Sequence, residues 1–109
     1  MNQTLAKVTA KIKAGAWLPT PHALTRLDER QILIADVIQE TPNAVVVEDY
    51  PTDSRGPSVL ILLQDSTGLP VHAQWGMGKG VDFVSLVTVY RPDPNEWHED
   101  NLTRRSKQK

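Results

Sequence analysis

Between Ala44 and Tyr90 the chain alternates four β-rich runs with three short, turn-rich connections, and this spacing limits the fold more than any other feature. The runs are AVVVEDY, SVLILLQ, LPVHAQW and FVSLVTVY, and the connections are PTDSRGP, DSTG and GMGKG. Parallel neighbours need crossovers of a dozen residues or more, so connections this short specify an antiparallel meander. SVLILLQ and FVSLVTVY are the most continuously apolar runs and suit central strands. VHAQW alternates, which sets Val71, Ala73 and Trp75 on one face and His72 and Gln74 on the other, away from the deepest core.

The segment before Ala44 has helical spacing instead. Leu5, Val8 and Ile12 recur along one face up to Gly15, predicting a helix over residues 3–14. Thr20-Pro21 is a helix start, with a hydroxyl to cap and a proline where a missing N–H costs nothing, so PHALTRLDER is expected to be helical. A further helix is expected from about Leu33 to Gln39, either continuous with the second or separated by a kink near Arg30-Gln31, and Thr41-Pro42-Asn43 ends it. The expected fold class is α+β: two or three N-terminal helices packed on a four-stranded antiparallel meander, as one domain over residues 1–97. HEDNLTRRSKQK, residues 98–109, lacks apolar periodicity and reads as a polar, flexible tail.

Composition removes several functions. The 109 residues include no cysteine, so there is neither a disulfide framework nor a thiolate nucleophile or ligand, which fits a reducing cytoplasm. A formal net charge of -1 argues against the broad positive field of most nucleic-acid binders, so any basic site must be local. No apolar run is long enough to cross a bilayer. The three histidines have no metal-ligand spacing, and GMGKG precedes a strand where a phosphate-cradling loop would open a helix. No metal site is assigned.

The residues that remain can handle an anion by acid–base chemistry. His22, Arg26 and Arg30 fall at i, i+4 and i+8 on one slowly turning helix face. The last strand ends abruptly at Tyr90-Arg91-Pro92, where a phenol and a guanidinium fork meet a strand-breaking ring. His72 adds a second imidazole from a strand. Structural roles suit the same residues: Arg26 and Arg30 can pair with Asp28 or Glu29, Tyr90 can be a core aromatic with a wet tip, and Arg91 can serve a surface ion pair.

Taken in order, His22-x-x-x-Arg26-x-x-x-Arg30, Glu48-Asp49-Tyr50-Pro51, Arg55-Gly56-Pro57-Ser58, Pro70-Val71-His72 and Val89-Tyr90-Arg91-Pro92-Asp93 with Trp97 resemble a small bacterial family known as a domain of unknown function. The resemblance spans residues 20 to 97. One position departs from it, for Gln31 stands where the family pattern commonly places a glycine. That family in turn resembles the RelE, BrnT and MqsR group of ribonuclease toxins, with N-terminal helices before a curved antiparallel sheet. The resemblance implies a metal-independent, cofactor-free endoribonuclease of a toxin–antitoxin pair, acting on RNA and held by an antitoxin protein. In that picture His72 or His22 exchanges protons, Tyr90 orients the phosphate or assists as acid, and Arg26, Arg30 and Arg91 bind it. Two other functions use the same residues: a non-catalytic module that docks another protein at the Tyr90-Arg91 edge or a sheet edge, and a binder of a small anion.

Overall fold

The structure, a computed structural model, describes residues 2–106. Among these residues the chain forms α1 (Gln3–Lys13), β1 (Trp17–Pro19), α2 (Pro21–Arg30), α3 (Ile34–Glu40), a 3-10 turn (Thr41–Asn43), β2 (Val45–Tyr50), β3 (Ser58–Gln64), β4 (Pro70–Gly76) and β5 (Val84–Tyr90). The class is α+β. No described helix is long and apolar enough to cross a membrane.

The sheet has five strands in the order β1-β5-β4-β3-β2 and is mixed, which corrects the expected four-stranded antiparallel sheet. β2 to β5 do pair antiparallel, while β1 runs parallel to β5, with Trp17, Leu18 and Pro19 opposite Val84, Ser85 and Leu86. Three residues ending in proline carry no period-2 signal. What makes them a strand is long-range: Val84 N–H donates to Ala16 O, Thr20 N–H donates to Leu86 O, and the Trp17 ring stands edge-on to Trp75 at 6.4 Å.

One face of the sheet carries the core. Val59, Ile61, Leu63, Val71, Ala73, Trp75, Val84, Leu86 and Val89 meet Leu5, Val8 and Ile12 of α1, Ala23 and Leu27 of α2, Ile32, and Val37 of α3. Each fully buried aliphatic side chain of this kind contributes about 1.5–3 kcal/mol. Two polar side chains inside it are paired in sequence: Trp75 Nε1–H donates to Thr41 Oγ1 at 3.2 Å, and Thr41 Oγ1–H donates to Val37 O at 2.6 Å. At the edge, Asn2 caps α1 through Leu5 N–H, and Asn2 and Thr4 both donate to the Asp49 carboxylate at 2.8 Å.

Gln31 separates the second and third helices, so they are not continuous. It is the C-cap of α2 in the left-handed region, φ 54° and ψ 48°, and its backbone N–H returns to Asp28 O. A side chain there is strained, whereas glycine adopts this conformation freely. Gln31→Gly is therefore expected to stabilise the fold by about 0.5–1 kcal/mol, read from the urea midpoint at unchanged slope.

The opposite face of the sheet is built from Glu48, Tyr50, Ser58, Leu60, Leu62, His72, Gln74, Thr88 and Tyr90, as the cross-strand register dictates. Half of it is covered by the segment expected to be a flexible tail. Trp97 and Arg104 form an isolated antiparallel bridge, His98 N–H donates to Thr103 O, and Arg105 donates to the carbonyls of Pro94, Glu96 and Trp97. Trp97 is 3 % exposed. Lys107, Gln108 and Lys109 of the basic terminus lie outside the described residues.

Candidate functional site

β1 pairs only with Val84–Leu86, which leaves the rest of the β5 edge to α2. Thr20 fixes that arrangement from both ends: its hydroxyl accepts from Ala23 N–H at 3.0 Å to cap the helix and donates to Val87 O at 2.9 Å. With Ala23 and Leu27 turned into the core, the i, i+4, i+8 face of α2 hangs over the sheet's outer face. The result is a groove of about 310 Å³ that brings together His22, Arg26, Arg30, Tyr90 and Arg91, and also Thr88, Asp93 and Glu96.

Within the groove, His22 Nε2 lies 3.0 Å from Thr88 Oγ1, the cross-strand neighbour of Gln74. Arg26 donates to Glu29 on its own helix at 2.7 Å, an exposed pair worth less than about 1 kcal/mol that a stronger anion can displace. Arg30 has no ion-pair partner among the described residues.

Arg91 is held more firmly. Its guanidinium donates to Asp65 Oδ2 at 2.8 Å and to Pro70 O at 3.3 Å, bracing the end of β5 against the β3–β4 turn. Asp65 is 7 % exposed. Burial opposes its ionisation, but hydrogen bonds from the Thr67 hydroxyl, Arg91 and the backbone N–H groups of Leu69 and Thr67 outweigh that cost and hold the carboxyl at about 2.

His72 does not line the groove. It lies on the outer face, as its alternation requires, yet it is completely buried, because Trp97 stands edge-on to it at 4.5 Å and the covering segment closes above. Its Nε2 is 2.7 Å from Asn101 O and its Nδ1 is 3.2 Å from the Tyr90 hydroxyl. A carbonyl can only accept, so Nε2 carries the proton and Nδ1 accepts from Tyr90. Burial lowers the His72 pKa, so the ring is neutral at neutral pH, and burial likewise raises that of Tyr90. Tyr90 thus links the groove to the interior with its hydroxyl proton directed at His72.

On the far side of Tyr90 lies a polar hollow of about 270 Å³ lined by Glu48, Tyr50, Arg55, Gln74 and Arg104 among others. Arg104 holds Glu48 with two hydrogen bonds, at 2.6 and 3.0 Å, lies 4.6 Å over the Trp97 ring, and is raised above its ordinary pKa chiefly by the Glu48 hydrogen bond. The Tyr50 hydroxyl also donates to Glu48. No spacing in the sequence points to Arg104 or Asn101, since both come from a polar stretch without period. Asp93 and Glu96 escape for the same reason, standing in the irregular segment after Pro92.

Among the described residues no three His, Asp or Glu side chains are grouped so as to hold a metal ion. No curated protein and no solved structure matches the chain. The profile of the domain of unknown function DUF4258 matches residues 20–91, from the threonine that caps α2 to the arginine that ends β5. That span is well over half of the chain and contains both walls of the groove, and the protein belongs to the DUF4258 family.

Proposed function

We propose that the groove between α2 and the end of β5 is a phosphate-handling site and that the protein is a toxin-like, metal-independent endoribonuclease acting on single-stranded RNA, with an antitoxin protein as its restraint. The single observation that carries this reading is the meeting of His22, Arg26, Arg30 and Tyr90 in one open groove, although Tyr90 lies sixty or more residues beyond the other three. The likeness to RelE-type toxins is a resemblance of element order.

In this reaction a base takes the proton of a ribose 2′-hydroxyl, the oxygen attacks the adjacent phosphate, and an acid protonates the leaving 5′-oxygen. Asp93 and Glu96 both line the groove beside the His22 imidazole; Asp93 Oδ1 already accepts from Asn95 N–H, so Glu96 is the carboxylate assigned to exchange protons with His22. Arg30 and Arg26 neutralise the charge that builds on the phosphorane, with Arg26 leaving Glu29 as the phosphate arrives. Tyr90 gives its hydroxyl proton to His72 and so forms a wall of the groove without donating to the phosphate, and Arg91 positions that wall by bracing the strand end. His72 is a positioning residue in this account, since its two nitrogens are engaged and water does not reach it.

The test is cleavage of a single-stranded RNA by purified protein in excess chelator. Arg30→Ala removes the groove guanidinium that has no ion-pair partner, and is expected to slow cleavage at least about tenfold, the loss of one charge-assisted contact to the phosphate. Equal rates for Arg30→Ala and the unmodified protein would sink the assignment. A second reading, a non-catalytic module that docks a protein partner, is favoured by the acidic side chains in the same groove, Asp93 and Glu96. Stable binding of a basic protein partner at the groove, without RNA cleavage, would select it.

A further inference from the structure

The uncovered half of the sheet's outer face holds a second depression, of about 360 Å³, within the range of small-molecule sites. It is lined by Gln74, Ser58 and Ser85 and by Val87, whose Cγ2 lies 3.2 Å from where a Cβ on Gly76 would stand, while the Met77 side chain packs against the core. Val87 is the extra residue at the register shift between β4 and β5, which places an aliphatic side chain beside the strand's polar ones. On the other side, the β2–β3 and β4–β5 loops are clamped together. Gly56 has φ +114°, Met77 N–H donates to Pro57 O at 2.8 Å, and a Cβ on Gly56 would lie 1.9 Å from Met77 O.

The Gln74 amide is the distinctive group. Its nitrogen reaches only Ser58 Oγ, at 3.5 Å, the long limit of a hydrogen bond, and its carbonyl oxygen has no partner among the described residues. A donor and an acceptor thus lie side by side in a depression with Val87 as its apolar wall. That pair matches the edge of a flat heterocycle carrying its own donor and acceptor, as a primary amide matches a nucleobase. Gln74 is also the cross-strand partner of Thr88, whose hydroxyl contacts His22, so the depression begins about 5 Å from the groove.

We infer that this depression is a base-binding subsite, in which Gln74 reads the edge of one nucleobase of the RNA strand whose phosphate occupies the groove. The choice of ligand rests on the ribonuclease reading; the pocket's chemistry is independent of it. The flat ring lies against Val87, and the hydroxyls of Ser58 and Ser85 supply the remaining contacts. Arg55, paired with Asp53 at the rim, is placed for the next phosphate.

The probes are the four ribonucleosides, which lack phosphate and so report on this depression alone. In proton–nitrogen correlation spectra, at least one is expected to shift the Gln74 side-chain amide in a saturable way. Gln74→Ala is expected to weaken that binding at least tenfold and Val87→Trp, which fills the space, to abolish it. Arg30→Ala should leave it within twofold. Dispersed spectra of each variant show that it is folded. The proposal is overturned if no nucleoside moves Gln74, or if Val87→Trp binds as well as the unmodified protein. RNA cleavage separates the two readings: nucleoside binding at Gln74 without any RNA cleavage keeps the subsite and removes the ribonuclease. RNA cleavage with one base preference in both the unmodified protein and Gln74→Ala removes the subsite and keeps the ribonuclease.

Discussion

His22→Ala is expected to lower the rate of metal-free RNA cleavage by about 10²–10⁴-fold, the usual contribution of one positioned acid or base. His22 is exposed at the start of α2, where its Nε2 lies 3.0 Å from the Thr88 hydroxyl. Losing one such hydrogen bond costs about 0.5–1.5 kcal/mol, small against the 5–15 kcal/mol that holds a domain together. The variant should therefore stay folded while it fails as a catalyst, and the spectrum and melting curve check the first half of that statement. A His22→Ala protein that cuts RNA at the unmodified rate would remove the imidazole from the chemistry. His72→Ala is its counterpart: it opens a void under Trp97 and leaves Asn101 O and the Tyr90 hydroxyl without their partner, so its main effect falls on stability.

The largest loss of stability is expected from Trp97→Ala, at about 3–5 kcal/mol. Trp97 is nearly inaccessible although it stands in the segment between the last strand and the polar terminus. It packs on His72 below and carries Arg104 above, so its removal uncovers the imidazole and loosens the arginine that clamps Glu48. For a domain of this size each kcal/mol lowers Tm by about 4–8 °C, so the shift should exceed about 12 °C. Thermal melts of the two proteins measure it directly. A shift of a few degrees would mean that the segment from Trp97 to Arg105 contributes little to the fold.

How much could be read in advance depended on how local each cause is. The meander was legible because turn residues and period-2 runs act within a few positions, and the cap at Thr20-Pro21 fixed the start of α2 for the same reason. β1 was not legible, since three residues become a strand only through Val84–Leu86. Alternation assigns His72 to the correct face, but it says nothing of what covers that face. It is closed by residues 97–105, whose order comes from one tryptophan, one left-handed asparagine at φ 57° and a carboxylate on β2. Polar composition hides such a segment because its contacts are specific pairs and not a hydrophobic stripe. The i, i+4, i+8 spacing of His22, Arg26 and Arg30 placed them together on a helix face, and the sequence also supplied Tyr90 and Arg91 at a strand end. That Arg91 turns away to Asp65 depends on the β3–β4 turn and had no local sign.

On the proposed reading, the groove transfers a phosphoryl group from the leaving 5′-oxygen to the neighbouring ribose 2′-hydroxyl. The most direct measurement compares one RNA oligomer with the same oligomer carrying 2′-deoxyribose throughout, both with purified protein in excess chelator. The predicted result is cleavage of the RNA to fragments ending in a 2′,3′-cyclic phosphate, an intact deoxy oligomer, and loss of cleavage in His22→Ala. An uncut RNA, or equal cleavage of both oligomers, would contradict the account.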